Sequence, residues 1–312
     1  MKSLGSFGVA LALVTLAPGS VVEKPLTSQD AFTISDNVNL VLLDVSVKGS
    51  NAGYVLDLDK SNFRVFEDGK QRTITQFGKI DAPVTIGLVV DNSGSMRSKR
   101  SEVLQAGMSF AHQSNADDEF FVVNFNNSVV SGLPPQLPFT DNLRILQNAL
   151  YYGRPVGQTA LYDAISYSLR HLETAHREQR TLIVVSDGGD NVSKISLADL
   201  LNQIEASRAT IYTIGLVDPE NRDLKPGVLR KIAAASGGAY IQPKKLNDVP
   251  VAFAQISKDI RHRYTIGFVP DEDSDKRIIR TVKVTAERAG ERLTCKSRST
   301  FRIPPPAAAG KV

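Results

Sequence analysis

The chain holds a single cysteine, Cys295, in 312 residues. An intrachain disulfide, a cysteine zinc site and a CxxC redox motif are therefore excluded. Histidine is scarce as well. The four present, His112, His171, His176 and His262, form no HExxH and no local triad signature. Net charge is small: 37 basic and 33 acidic side chains leave +4, spread along the chain, which argues against a nucleic-acid partner. No glycine cluster makes a Walker or dinucleotide fingerprint, and no serine sits in a GxSxG elbow. Beyond the amino terminus no apolar run is long enough to span a bilayer.

What remains is an ordinary globular composition, 42% hydrophobic and 22% charged, with length for about two domains. Met1-Lys2, an apolar stretch from Phe7 to Ala17, and Ala17-Pro18-Gly19 have the form of a secretory signal peptide over residues 1–19. A buried or irregular start is the alternative. Export would make the protein secreted or periplasmic, with residues 20–35 as a flexible lead-in.

Residues 36–82 carry a β pattern. Val41, Leu43, Val45 and Val47 alternate with Leu42, Asp44, Ser46 and Lys48. Asp68-Gly69, between two strand-like runs, signals a tight hairpin. So short a β segment buries too little alone and needs a partner. From Val84 the period changes, and apolar strands alternate with helices through residues 83–262. Val84–Val90 and Arg180–Ser186 read as strands buried on both faces. Helices are expected at Ser101–Gln113, Asn142–Tyr151, Thr159–Ala175, from Ser196, at Val228–Ala235, and at Val249–Arg261 with Asp248 as cap. The β pattern returns over residues 263–303, and a Pro/Ala-rich tail, residues 304–312, is expected to be disordered. The fold class is α/β: a doubly wound, mostly parallel sheet inserted in, or flanked by, an antiparallel β-sandwich made by the two terminal segments. The alternative is that each β segment extends one edge of the α/β sheet.

Three polar stretches would meet at the carboxyl edge of such a sheet, where open α/β sheets bind ligands. They are Asp91-Asn92-Ser93-Gly94-Ser95, the loop entering a helix at Thr159, and Ser186-Asp187-Gly188-Gly189-Asp190. From them Asp91 and Asp187 offer two carboxylates and Ser93, Ser95 and Thr159 three hydroxyls, with no sulfur. That set suits a hard cation, Mg2+, Ca2+ or Mn2+, and leaves room for a partner's carboxylate.

This pattern resembles the metal-ion-dependent adhesion site of the von Willebrand factor type A domain. The DxSxS element is Asp91, Ser93 and Ser95, the threonine is Thr159, and the later aspartate is Asp187. The likeness covers about Val84 to Arg261. It implies that Asp91, Ser93 and Ser95 hold the metal, that Thr159 binds directly or through water, and that Asp187 acts often through water. It also implies that, if the domain has two states, Val249–Arg261 is the helix that moves between them. The wider layout resembles a bacterial family of exported proteins best represented in Acidobacteria.

Each residue also has a bland reading. Ser93 and Ser95 could cap the following helix, Thr159 could be an N-cap, and Asp187-Gly188-Gly189 could be a tight turn. Asp271, Asp273 and Asp275 alternate like a calcium loop, but Lys276 stands where glycine is required and Val282 where the glutamate should be. His171 and His176 are expected to face solvent. The functional expectation is a non-enzymatic module that captures a protein or peptide through an exposed Asp or Glu. A hydrolase using the same ion would need a base, for which Asp190 is the spare carboxylate. A metal-free scaffold is the third reading.

Overall fold

A computed structural model of the chain describes residues 40–80, 82–216, 226–271 and 278–303. The signal peptide, the lead-in, the tail and all of the 271–276 turn except Asp271 lie outside them.

Among the described residues β1 (Val41–Lys48), β2 (Phe63–Glu67), β3 (Lys70–Arg72) and β4 (Ile74–Ile80) come first. Asp68 and Gly69 take positive φ values of 45° and 82° between β2 and β3, as a two-residue hairpin turn requires. The α/β part follows. It comprises β5 (Val84–Asp91), α1 (Arg100–His112), β6 (Glu119–Phe125), β7 (Val129–Ser131), α2 (Leu143–Tyr151) and α3 (Leu161–Leu172). It continues with β8 (Gln179–Ser186), α4 (Leu197–Ala206), β9 (Thr210–Gly215), α5 (Pro226–Ala235), β10 (Tyr240–Ile241) and α6 (Val249–Arg261). The chain then returns to strands: β11 (Arg263–Phe268), β12 (Ile279–Arg288), β13 (Glu291–Lys296) and β14 (Thr300–Arg302).

The central sheet runs β10-β9-β8-β5-β6-β7, parallel except for edge strand β7. Every residue of β5 is buried, because helices cover both faces. The chain passes from β5 outward to β6 on one side and from β8 outward to β9 on the other, so the strand order reverses between β5 and β8. The crevice outside the carboxyl ends of β5 and β8 is the topological switch point.

The terminal segments pair with each other. The antiparallel order is β3-β2-β12-β13-β1-β11-β4, with β14 on β12. On a flat sheet β2 and β11 would lie about 19 Å apart, four spacings of ~4.8 Å. Yet the Phe63 and Tyr264 rings are 5.0 Å apart, and those of Phe63 and Phe77 are 5.5 Å apart. The sheet therefore curls until its ends share one core of Leu43, Val45, Val47, Phe63, Tyr264, Phe268 and Val284. A separate core fills the α/β part. Arg263 is the ladder partner of Ile80, so the chain enters and leaves the α/β part at adjacent points.

The face of β1 opposite Leu43, Val45 and Val47 is partly covered, and Ser46 is buried. It packs toward a polar hub at the end of α6. There Asp259 accepts from Arg263 Nη2 at 2.9 Å, from Tyr54 Oη at 2.9 Å and from Tyr212 Oη. Burial opposes ionisation of Asp259, but Arg263 and Tyr212 outweigh it and hold its carboxyl well below the usual range.

Two local expectations need correcting. Asp248 is the N-cap residue of α6 but makes no side-chain cap bond; its carboxylate accepts from the Lys245 amide at 3.2 Å instead. His171 is half-buried rather than solvent-facing, its ring tilted against Phe121 with centroids 4.6 Å apart and bonded to the Pro138 carbonyl at 2.8 Å. An aromatic neighbour outcompetes water for one face of the imidazole. His176 is exposed, in the loop after α3.

Candidate metal centre

Asp91 is the last residue of β5 and is fully buried. Its Oδ1 accepts from the Ser93 amide at 2.8 Å and its Oδ2 from Ser186 Oγ at 2.6 Å. Ser186 ends β8, the neighbouring strand, so Asp187 emerges directly beside Asp91. Ser93 Oγ and Ser95 Oγ lie 3.1 Å apart. Thr159 is buried just ahead of α3.

Hydrogen bonds tie the three loops pairwise. The first loop meets the second where Gly94 N donates to Gly157 O at 3.0 Å and Val156 N to Asn92 O at 2.9 Å. The second meets the third where Thr159 N donates to Asn191 Oδ1 at 2.8 Å and Asn191 N returns a bond to Thr159 O at 3.1 Å. The Ser186–Asp91 bond closes the triangle.

The bland roles are not taken up. Ser93 makes no side-chain cap bond, and α1 starts after Lys99. The N-cap of α3 is Ala160, not Thr159. Asp187 does hold a turn, since its Oδ1 accepts from Gly189 N, though at a long 3.4 Å. The Thr159 hydroxyl has no hydrogen-bond partner among the described residues, and Ser95 Oγ meets only Ser93.

No Lys, Arg or His of the described residues forms an ion pair with Asp91 or Asp187. Burial, and to a lesser degree the Asp187 charge, push the Asp91 carboxyl up to about 6, against the pull of its Ser186 and Ser93 hydrogen bonds. A buried carboxylate without a partner is costly. A hard cation would supply that partner, and the two carboxylates with three hydroxyls fit its oxygen preference. Among the described residues no cluster of three or more His, Cys, Asp and Glu exists, so a carboxylate- or imidazole-rich centre is not what this edge presents.

Several supporting residues carry no sequence signature. Asn92 Nδ2 donates to Asn124 Oδ1 at 3.0 Å, while its Oδ1 accepts from Arg100 Nε at 2.9 Å. Arg100 Nη2 gathers the carbonyls of Tyr151, Tyr152 and Gly153 at 3.1–3.3 Å, fixing the loop beside the site. Asp190 is spent on structure: it accepts from Ser193 Oγ at 2.5 Å and Tyr162 N at 3.2 Å.

Gly157 has φ +82°, and a Cβ there would lie 1.8 Å from Asn127 Oδ1, which holds Gln158 N at 2.9 Å. Gly157→Ala is expected to cost about 1–3 kcal/mol in stability and to shift the Thr159 loop. Urea unfolding and metal titration of the variant check both effects; unchanged values would show that the loop yields freely.

The comparisons come to rest on this same stretch. A family model described as von Willebrand factor type A domain matches residues 86–189, which contain Asp91, Ser93, Ser95, Thr159 and Asp187. A solved von Willebrand factor type A protein from Catenulispora acidiphila superposes with a TM-score of 0.53 at 16% identity. That match covers 71% of this chain and 66% of the other, a little under two thirds of its length. The vWF domain of a type V pili tip protein from Porphyromonas gingivalis gives a TM-score of 0.47 at 12% identity, covering 58% of this chain and 96% of that one. Proximal thread matrix protein 1 from the mussel byssus gives 0.49 at 13%, covering 59% and 49%. No curated protein matches the chain. Over residues 86–189 this protein is similar to the von Willebrand factor type A domain, and the sheet around its candidate site has that domain's fold.

Proposed function

We propose that Asp91, Ser93, Ser95, Thr159 and Asp187 hold one divalent cation, Mg2+ or else Ca2+ or Mn2+, and that the protein uses it to capture a protein or peptide through an exposed Asp or Glu. The observation that carries this reading is the pair of neighbouring carboxylates, one fully buried, without a protein cation, beside hydroxyls that do no capping. The bound ion would offer an incompletely neutralised point to an incoming carboxylate. The likeness to type A domains points the same way, toward a protein-interaction module.

The chain's own residues would set affinity and choice. Ser186 and the Ser93 amide fix the Asp91 carboxylate, so little ordering is left to binding. Tyr151, Tyr152 and Val156 are all about half exposed on the loop that Arg100 fastens beside the site. They give the captured segment an apolar flank. Asp190, the carboxylate a hydrolytic reading would need as base, already accepts two hydrogen bonds. That favours holding a ligand over transforming one.

In this reading residues 83–262 form a type A domain inserted in a β domain of residues 36–82 and 263–303. The adjacency of Ile80 and Arg263 supports the insertion. The signal-like residues 1–19 support a secreted or periplasmic location. No helix among the described residues is long and apolar enough to cross a membrane.

A displayed random peptide library, panned on the full chain with Mg2+ and again with chelator, tests the capture. Enriched peptides should share an Asp or Glu, and their binding should vanish in chelator and in Asp187→Ala. Enrichment of peptides without a common acid, or equal binding in chelator, would refute it.

A further inference from the structure

A second polar site lies away from the metal centre, where the curled sheet meets the α/β part. Ladder register sets it up. Ser46 pairs with Lys296 and Lys48 with Thr294 across β1 and β13. Strand alternation sends these four side chains to one face, while Val45, Val47 and Leu293 point into the core. That face looks toward β9, β10 and α6. Between them is a cavity of about 130 Å3, lined by Ser46, Lys48, Tyr54, Asp259, Thr294 and Lys296. It borders the exposed Gln255 and Thr294, so it is reached from solvent.

The charges there do not balance locally. Asp259 is saturated by Tyr54, Tyr212 and Arg263. Asp44 lies 4.0 Å from Arg263. Neither lysine has a hydrogen-bond or ion-pair partner among the described residues. Lys48 only covers the Tyr54 ring, 4.8 Å from its centroid. The hydroxyls of Ser46 and Thr294 are likewise not engaged by any described side chain or backbone group. Three cationic side chains thus face two carboxylates, and two ammoniums and two hydroxyls point at one small space. Burial pushes the Lys296 ammonium down to about 8, with Lys48 and Arg263 adding to it against the pull of Asp259. An ammonium held so would gain from an anionic neighbour.

We propose that this cavity is a binding site for a small tetrahedral oxyanion, inorganic phosphate or sulfate, held between Lys48 and Lys296 with Ser46 and Thr294 completing its hydrogen bonds. The cavity is well below the roughly 300–1,000 Å3 of sites that enclose drug-sized ligands, so the class is a free small anion rather than a nucleotide. Four donors arriving from two strands suit an acceptor with oxygens in several directions. A bound anion would bridge β1 and β13 to the α6 side of the junction. This site is independent of the metal centre and of any ligand captured there.

Calorimetric titration of sulfate and of phosphate into the full chain tests it, in chelator and at constant ionic strength. Chelator removes any ion at the Asp91 site that could itself bind an oxyanion. Heat rather than melting temperature is read, because sulfate stabilises most proteins without a site. One saturable site is expected. Lys296→Met, which keeps the apolar stem, should weaken it about tenfold or more, as loss of a charge-assisted hydrogen bond implies. Lys48→Met should do the same and serves if the first variant does not fold, whereas the exposed Lys231→Met should match wild type. No saturable binding, or equal binding by wild type and both cavity variants, would overturn the proposal. Acetate binding tighter than sulfate would overturn the assignment to a tetrahedral anion.

Discussion

Asp259→Ala is expected to lower the unfolding free energy by about 3–5 kcal/mol, the cost of stranding one member of a buried ion pair. The side chains of Asp259 and Arg263 are 8% and 5% exposed, so solvent does little to screen either. Removing the carboxylate leaves the Arg263 guanidinium with the Tyr212 hydroxyl, Thr210 Oγ1 at 2.9 Å, the Asp259 backbone carbonyl at 3.2 Å and Asp44 at 4.0 Å. It also removes the acceptor of both Tyr54 and Tyr212. The hub joins the last turn of α6 to β9 and to the loop after β1, so its loss weakens the seam between the two cores. Urea unfolding should show a lower midpoint with an unchanged slope. A loss below about 1 kcal/mol would mean that water or Asp44 replaces the missing charge.

Asp91→Asn should do the opposite in chelator and then fail to respond to metal. The folded-state carboxyl of Asp91 is pushed up to about 6, above its unfolded value near 3.8. A carboxyl raised in this way favours the folded state only while protonated. Its contribution is therefore fully present below about pH 4 and is lost as pH rises through about 6. The difference amounts to about 3 kcal/mol at neutral pH, from about two pH units at 1.36 kcal/mol each. Asparagine keeps the shape and carries no charge. It can still accept from the Ser93 amide, and its NH2 can donate to Ser186 Oγ. Metal-free wild type should thus lose stability between pH 4 and 6 relative to the variant. Mg2+ at a hundredfold its Kd should return about 2.7 kcal/mol to wild type and nothing to Asp91→Asn. Parallel pH profiles for the two proteins in chelator would show that Asp91 is solvated in the folded chain.

Much of this arrangement is legible in the residues. The apolar runs of β5 and β8, one ending in Asp91 and the other followed at once by Asp187, announce a parallel sheet. Asp68-Gly69 announces its hairpin, and the stripe of Phe253, Ile256 and Ile260 announces α6. What was not legible depends on pairing between distant segments. β7, β10 and β14 have three, two and three residues, too few to show a period; their partners define them. The curl of the antiparallel sheet follows from its strand order, which no local pattern encodes. Ser186 has a role only because β8 lies beside β5, and Asn92 only because Arg100 and Asn124 converge on it. Asp259 and Arg263 fall on either side of the boundary between α6 and β11, and no local pattern marks them as partners. They are buried because β1 and β13 cover them.

The cation is the direct test of the centre at Asp91. Mg2+ and Mn2+ should be titrated calorimetrically into the metal-stripped full chain and into Asp91→Asn. One divalent ion per wild-type chain is expected, with affinity at least about 100-fold lower in the variant, more than the loss of a supporting residue around a metal costs. Wild-type protein that takes up no divalent cation, or a variant that binds it equally well, would contradict the reading of Asp91, Ser93, Ser95, Thr159 and Asp187 as a metal centre.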